Sequence, residues 1–265
     1  MELLVGPAFE EVILTRNDQS WKSHPLDPVQ KIQIGLRCPE EQRAIVAIYN
    51  RLGGLIRKVA AKHDVKCSHV IAVWVAQGGW RPFRPQRAPI RFNVHRFFDV
   101  WGKRCRADFD LYFRFGGHNL QPGQPWDNHE YRPEGRGAFV SVHHNPNSEY
   151  EALMLARMLA GDEAALRCLN IGGPLIPVDD FTPLGYESSS AMYKSMQESE
   201  LAHVLTFFDL CRLKQAPKSG LLLQYLRLGD WLNFCRHYDQ PSELDPCAER
   251  MRQVVSRCES MLPKD

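Results

Sequence analysis

The sequence predicts a mainly α-helical protein, with a short extended or β element and a long irregular segment around residues 116–147. Three observations carry that prediction. Apolar residues recur at helical spacing along most of the chain. Prolines and polar residues gather in the stretches between the helical ones. At 265 residues and 44% hydrophobic, the chain has the size and composition to bury a core without metal or disulfide staples.

Taken in order, residues 1–38 are proline-spotted and read as an arm, or a few short strands, packed on the main domain. Residues 39–265 read as that domain, a single globular unit. Between Glu40 and His63 a helix is expected, because Ile45, Ile48, Leu52, Leu55, Ile56 and Val59 line one face. Gly53 and Gly54 interrupt it, each costing about 1 kcal/mol against alanine. Their presence predicts close packing against another backbone. Ser68 is a candidate cap for the next helix, which should end at Gly78-Gly79.

From Trp80 to Phe92 three prolines indicate extended chain, and "NVHRFFDVWGK" returns to helical spacing. Ser148 and Glu151 form a capping-box pattern ahead of "ALMLARMLAGD". Further helices are expected over Asp162–Asn170, Ser188–Gln197, Ser199–Lys214, Leu221–His237 and Ser242–Met261.

The bulk numbers exclude several classes of function. A net charge of +2 supplies no general attraction to nucleic acid or anionic membrane, and no apolar run has the length of a membrane span. The acidic start "MELLVGPAFEEV" does not read as a secretory signal, so a cytoplasmic location is expected, with delivery to the cell wall or incorporation in a particle as the route outward. The 8 cysteines are scattered without a Cys-x-x-Cys pair, which reads as reduced thiols packed as small hydrophobes, with a disulfide scaffold as the alternative.

Several phrases, read in order, resemble the phage-type N-acetylmuramidase domain of peptidoglycan hydrolases. They are "IYNRLGGLIRKVAAKHDV", "VIAVWVAQGG", "IRFNVHRFFDVWGK", "SEYEALMLARML", "AALRCLNIGGPLIPVDDFTPLGYESSSAMYKSM", "HVLTFFDL" and "LRLGDWLNFCRHYDQP". That family typically reads Trp-Asn-Arg-Tyr-Gly-Gly, then Val-Glu-Ser-Gly-Gly, then Arg-Phe-Glu-x-His ending in Trp-Gly. Its Gly-Gly-Pro-Gln-Ile-Met-Gly loop and Phe-Phe-Asp-Phe helix follow. The likeness spans roughly residues 38 to 260 in the same order. It implies a lysozyme-like helical domain with a glycan cleft, no cofactor, and peptidoglycan or a protein of a phage-tail-like assembly as partner.

Under this resemblance the chemistry positions differ from the family pattern. Ala76 stands where the family carries its catalytic Glu, Gln77 where it carries Ser, and Asn93 where it carries a second Glu. The cleft loop reads Leu175 to Asp180, and the closing Asn-Gly-Pro reads Asp239-Gln240-Pro241. Glycoside hydrolysis needs an acid to protonate the leaving oxygen. An alanine has no proton to give, and a primary amide binds sugar hydroxyls without titrating. The resemblance therefore implies a non-catalytic module that binds peptidoglycan or docks on a protein. The competing reading is an active muramidase with relocated carboxylates.

For relocated catalysis Glu149 is the first candidate, followed by Asp179 and Asp180. The structural readings are a helix-dipole carboxylate for Glu149 and a tightened turn for the aspartates. Gln77, Arg91, Asn93, His95, Glu149, Asp179 and Tyr186 are the expected cleft residues. His95, His118, His129, His143 and His144 match no standard ligand spacing, so no metal is expected. The stretch from Arg81 to Arg106 mixes basic residues with Phe83, Phe92, Phe97, Phe98 and Trp101. It reads as a helix with a basic or glycan-facing rim, with nucleic-acid stacking as the less favoured alternative.

Overall fold

The structure, a computed structural model, describes residues 14–35, 37–78, 83–216, 220–238 and 244–264. Two 3-10 turns, Thr15–Asn17 and Gln19–Ser23, precede the first long helix, α1 (Glu40–Lys62), and α2 (Cys67–Gly78). Then come β1 (Ile90–Phe92), α3 (Val94–Phe97) running into a π turn at Phe98–Gly102, α4 (Arg106–Tyr112) and β2 (Phe113–Arg114). The irregular segment holds β3 (Glu130–Tyr131) and β4 (Val140–Ser141) and ends at α5 (Pro146–Ala160). Next are α6 (Asp162–Leu166), β5 (Leu169–Ile171), β6 (Ile176–Pro177) and a 3-10 turn at Val178–Phe181. The last part comprises α7 (Ser189–Glu198), α8 (Glu200–Leu213), β7 (Gln215–Ala216), β8 (Gly220–Leu221), α9 (Leu222–Leu228), α10 (Trp231–Tyr238) and α11 (Leu244–Met261).

Helices dominate, as the periodicity predicts. The strands are two or three residues long and form small antiparallel sheets in the orders β1-β5-β6, β2-β3-β4 and β7-β8. Helix α2 is the central element. Val70, Ile71, Ala72 and Val73 are fully buried, and the helix packs against both α1 and α11. A helix apolar on every side has no solvent face and belongs inside a core. No helix among the described residues is long and apolar enough to cross a membrane.

Of the glycine pair in α1, Gly54 is used as expected, with the N-terminal segment as the approaching backbone, whereas Gly53 faces the Tyr49 ring of its own helix. A Cβ on Gly54 would lie 2.1 Å from the carbonyl oxygen of Asp27. Next to it the Leu55 N–H donates to the Leu26 carbonyl at 3.1 Å. The Asn50 side chain holds the same segment, donating to the Ile32 carbonyl and accepting from the Ile32 N–H. At the other end, fully buried Asp209 of α8 accepts from the backbone N–H groups of Thr15 and Arg16.

Several local expectations are corrected. Residues 14–35 contain turns and no strand. Helix α2 begins at Cys67, which places Ser68 inside its first turn. Helix α5 starts earlier than the capping-box pattern suggested: Asn145 is the cap, its side chain accepting from Asn147 and Ser148 N–H, with Pro146 in the first turn. The stretch expected as one helix over Asp162–Asn170 stops at Leu166 and becomes β5, because Leu169 and Ile171 pair with β1. Leu221–His237 is broken in two at Gly229, whose left-handed φ of 68° terminates α9. Cys235 and Cys247 are joined as a disulfide between α10 and α11, while Cys38, Cys67, Cys105, Cys168, Cys211 and Cys258 are free. Gly79, Trp80 to Pro82 and Asp239 to Ser242 lie outside the described residues.

Candidate functional site

The C-terminal end of α2 carries Ala76 and Gln77, both half-buried, followed by buried Gly78. A Cβ on Gly78 would come within 2.2 Å of the Gly173 carbonyl oxygen. Gly173 in turn sits so close to the Trp74 indole that its own Cβ would overlap Nε1 at 2.1 Å. The Gly172-Gly173 loop is thus pressed directly onto α2, a contact only glycines permit. Tyr238 donates to the Pro174 carbonyl at 2.7 Å and holds the loop from its far side.

His203 of α8 completes this clasp. Its Nε2 lies 2.7 Å from the Met196 carbonyl, so Nε2 carries the proton, and Nδ1 accepts from the Gly173 N–H at 3.4 Å. Burial pushes its pKa down to about 4, so the ring is neutral. The Phe83 ring meets it edge-on. Sequence reasoning did not select His203. A single histidine on an apolar helix carries no spacing signal, and only the folded loop reveals its partners.

Strand β1 supplies the second wall. It pairs with β5 so that Arg91 is opposite Asn170. The backbone of Asn93 donates to the Cys168 carbonyl at 3.0 Å, and its side-chain amide donates to Asn170 Oδ1 at 3.3 Å. Both asparagines are buried. Two amides therefore face each other here, groups that donate and accept hydrogen bonds without titrating.

Phe92, the neighbour of Asn93 in the chain, holds a buried carboxylate. Glu149, 1% exposed, accepts from the Phe92 N–H through Oε2 at 2.7 Å. Its Oε1 is 2.8 Å from Nδ1 of His143, whose Nε2 is 2.9 Å from Nδ1 of His129. Nε2 of His129 meets both the Pro125 carbonyl and Nδ1 of His95 at 3.0 Å. Burial, with the nearby Arg96 charge, lowers His95 to about 4. Burial, with His143 and His95 beside it, lowers His129 to about 3. Successive contacts use different nitrogens, so the rings form a line and do not converge on one centre. No group of three or more His, Cys, Asp or Glu among the described residues could hold a metal.

The structure thus gathers Arg91, Asn93, His95 and Glu149 around β1 and leaves Gln77 at the end of α2, while Asp179 and Tyr186 are engaged elsewhere. Asp179 is exposed and paired with Arg167 at 2.6 Å, and Asp180 pairs with Lys214 at 3.3 Å. These carboxylates hold the 3-10 turn to its neighbours. Tyr186 shares a hydrogen bond with Thr206, and the Arg16 guanidinium lies 4.0 Å over its ring. His144 is exposed, and His118 pairs with Asp110 at 2.7 Å. Phe92 and Phe97 are fully buried, and Phe97 stacks on Trp101, so these aromatics belong to the core.

A helical body with a buried central helix, a glycine loop clamped across its end and a small sheet beside it is the architecture of a lysozyme-like domain. The family described as N-acetylmuramidase matches residues 68–258, and the chain belongs to that family. The crystal structure of a Burkholderia AP3 phage endolysin is similar in fold. It has a TM-score of 0.53 at 19% identity, covering 77% of this chain and 70% of that one. No curated protein matches the chain.

Proposed function

We propose that this muramidase-fold protein binds the glycan strand of peptidoglycan without hydrolysing it. The chemistry at the end of α2 and just after β1 supports the reading. Under the resemblance to the family pattern, Ala76, Gln77 and Asn93 take the places of its catalytic Glu, the following Ser and a second Glu. A methyl group and two amides cannot protonate a glycosidic oxygen. General acid–base groups contribute on the order of 10²–10⁴-fold each, so a site lacking both retains little turnover.

Glu149 does not fit the vacant role. A general acid must reach the leaving oxygen within about 3 Å, whereas this carboxylate is buried with one oxygen on the Phe92 N–H and the other on His143. The half-buried amide of Gln77 suits sugar hydroxyls and acetamido groups. By its resemblance to phage-type muramidases, the protein also fits a structural place in a phage-tail-like particle, which would carry it to the cell wall.

Incubation with purified insoluble peptidoglycan tests this. The protein is expected to co-sediment while the supernatant shows no new muropeptides by mass spectrometry. Muropeptide release that Glu149→Gln abolishes would establish the hydrolase reading instead, and failure to sediment would remove the glycan as ligand.

A further inference from the structure

The line from Glu149 to Pro125 has a proton count that its geometry fixes. Both ends accept: Glu149 as a carboxylate and Pro125 as a carbonyl. Between them stand two imidazoles and three contacts of 2.8, 2.9 and 3.0 Å. Three hydrogen bonds need three protons, and two neutral imidazoles carry two.

One complete arrangement places the extra proton on His143, as an imidazolium that donates to Glu149 and to His129. A second places it on Glu149, whose neutral carboxyl then donates to His143. A third makes His129 the imidazolium, which burial of that ring disfavours. In the first two, His129 is neutral and carries its proton on Nε2, facing Pro125 and His95. The arrangement that avoids the extra proton makes His95 the donor to His129. It leaves a bare ring nitrogen 3.0 Å from the Pro125 carbonyl oxygen, lone pair against lone pair.

We propose that Glu149, His143 and His129 share one stored proton, and that this proton latches the irregular segment 116–145 onto β1 and α5. The latch joins separate parts of the chain. His129 and His143 belong to the irregular segment, Glu149 to the first turn of α5, and Phe92 to β1. His129 also accepts the Val142 N–H on its carbonyl at 2.9 Å, so the two histidine positions are tied through the backbone as well. His143 is partly exposed, with 27% of its side chain accessible, and gives the proton its route to solvent.

The surrounding charges leave the count unchanged. Arg91 on β1 and Arg96 on α3 face His95, together with Asp99, and Arg91 also faces His129. Glu130, next to His129 in the chain, is paired with Arg114, and Glu151 accepts from Tyr131. The depressed values of His95 and His129 agree with both of those rings being neutral.

Histidine-ring ¹⁵N spectroscopy on the whole protein reads the count directly. At neutral pH, His129 is expected as the Nε2–H tautomer, and a His129 protonated on Nδ1 alone overturns the proposal. Hydrogen exchange of the Phe92 and Val142 amides reads the latch. After correction for intrinsic exchange, protection should fall about tenfold once alkaline pH strips the proton and one buried hydrogen bond is lost. Protection that stays flat there overturns it.

Glu149→Gln separates the latch from a simple charge pair. A glutamine amide can donate to His143 and accept from Phe92, reproducing the neutral carboxyl, so the alkaline fall should vanish. An unchanged fall in that variant counts against the proposal. Should the variant fail to fold, the ¹⁵N tautomer of His129 in the natural chain still decides.

Discussion

Two adjacent glycines in α1 face different obstacles. A Cβ on Gly54 would meet the Asp27 carbonyl oxygen at 2.1 Å, which is backbone and cannot turn aside. A Cβ on Gly53 would meet the Tyr49 ring at 2.7 Å, which a side-chain torsion can relieve in part. Alanine gains about 1 kcal/mol in helix propensity at either place. Overpacking outweighs that gain at Gly54, so Gly54→Ala is expected to lower stability by about 2 kcal/mol or more in urea unfolding. Gly53→Ala should cost clearly less. The close approach was legible in the sequence and is made at Gly54. Its partner was not, because nothing in residues 1–38 announces a carbonyl aimed at α1.

Among the elements, the disulfide between α10 and α11 stands out. Cys235 and Cys247 are 12 residues apart, and their bond closes a loop between two helices that also pack on each other. Closing a loop of that size removes entropy from the unfolded chain worth about 2–3 kcal/mol. Cys235→Ser, or reduction of the natural chain, should therefore lower the urea midpoint. Mass spectrometry of alkylated protein should find two fewer reactive thiols before reduction than after it. Scattered single cysteines hide such a pairing, since proximity depends on how α10 and α11 turn toward each other. The start of α5 shows the same limit: Ser148 and Glu151 fit a capping box, yet Asn145 and Pro146 begin the helix three residues sooner.

For the molecule as a whole, buried neutral histidines set the acid limit of stability. His63, His95 and His203 are lowered to about 4 and His129 to about 3, in each case chiefly by burial. Such a ring stays neutral in the fold and binds a proton on unfolding once pH drops below its ordinary 6.5. The unfolded state then holds more protons, so stability falls as pH is lowered from about 6.5 toward 4. Each ring adds a slope of up to about 1.4 kcal/mol per pH unit. Thermal melts across that range should show a steep decline, and His203→Gln should make it shallower by about one proton. The helical class was readable from spacing alone, and the family from ordered phrases along the chain. The histidine line was not. Its members come from α3, the irregular segment and α5, and only the fold sets them ring to ring.

The tether between the N-terminal segment and Asp209 bears on where this polypeptide can be cut. The family match starts at residue 68, yet α8 satisfies a fully buried carboxylate with the amides of residues 15 and 16. A truncation trimmed to residues 68–258 would delete α1 and take both backbone donors from that carboxylate, leaving it Arg212 at 3.5 Å. Anyone seeking a minimal soluble fragment should retain everything from Leu14 onward.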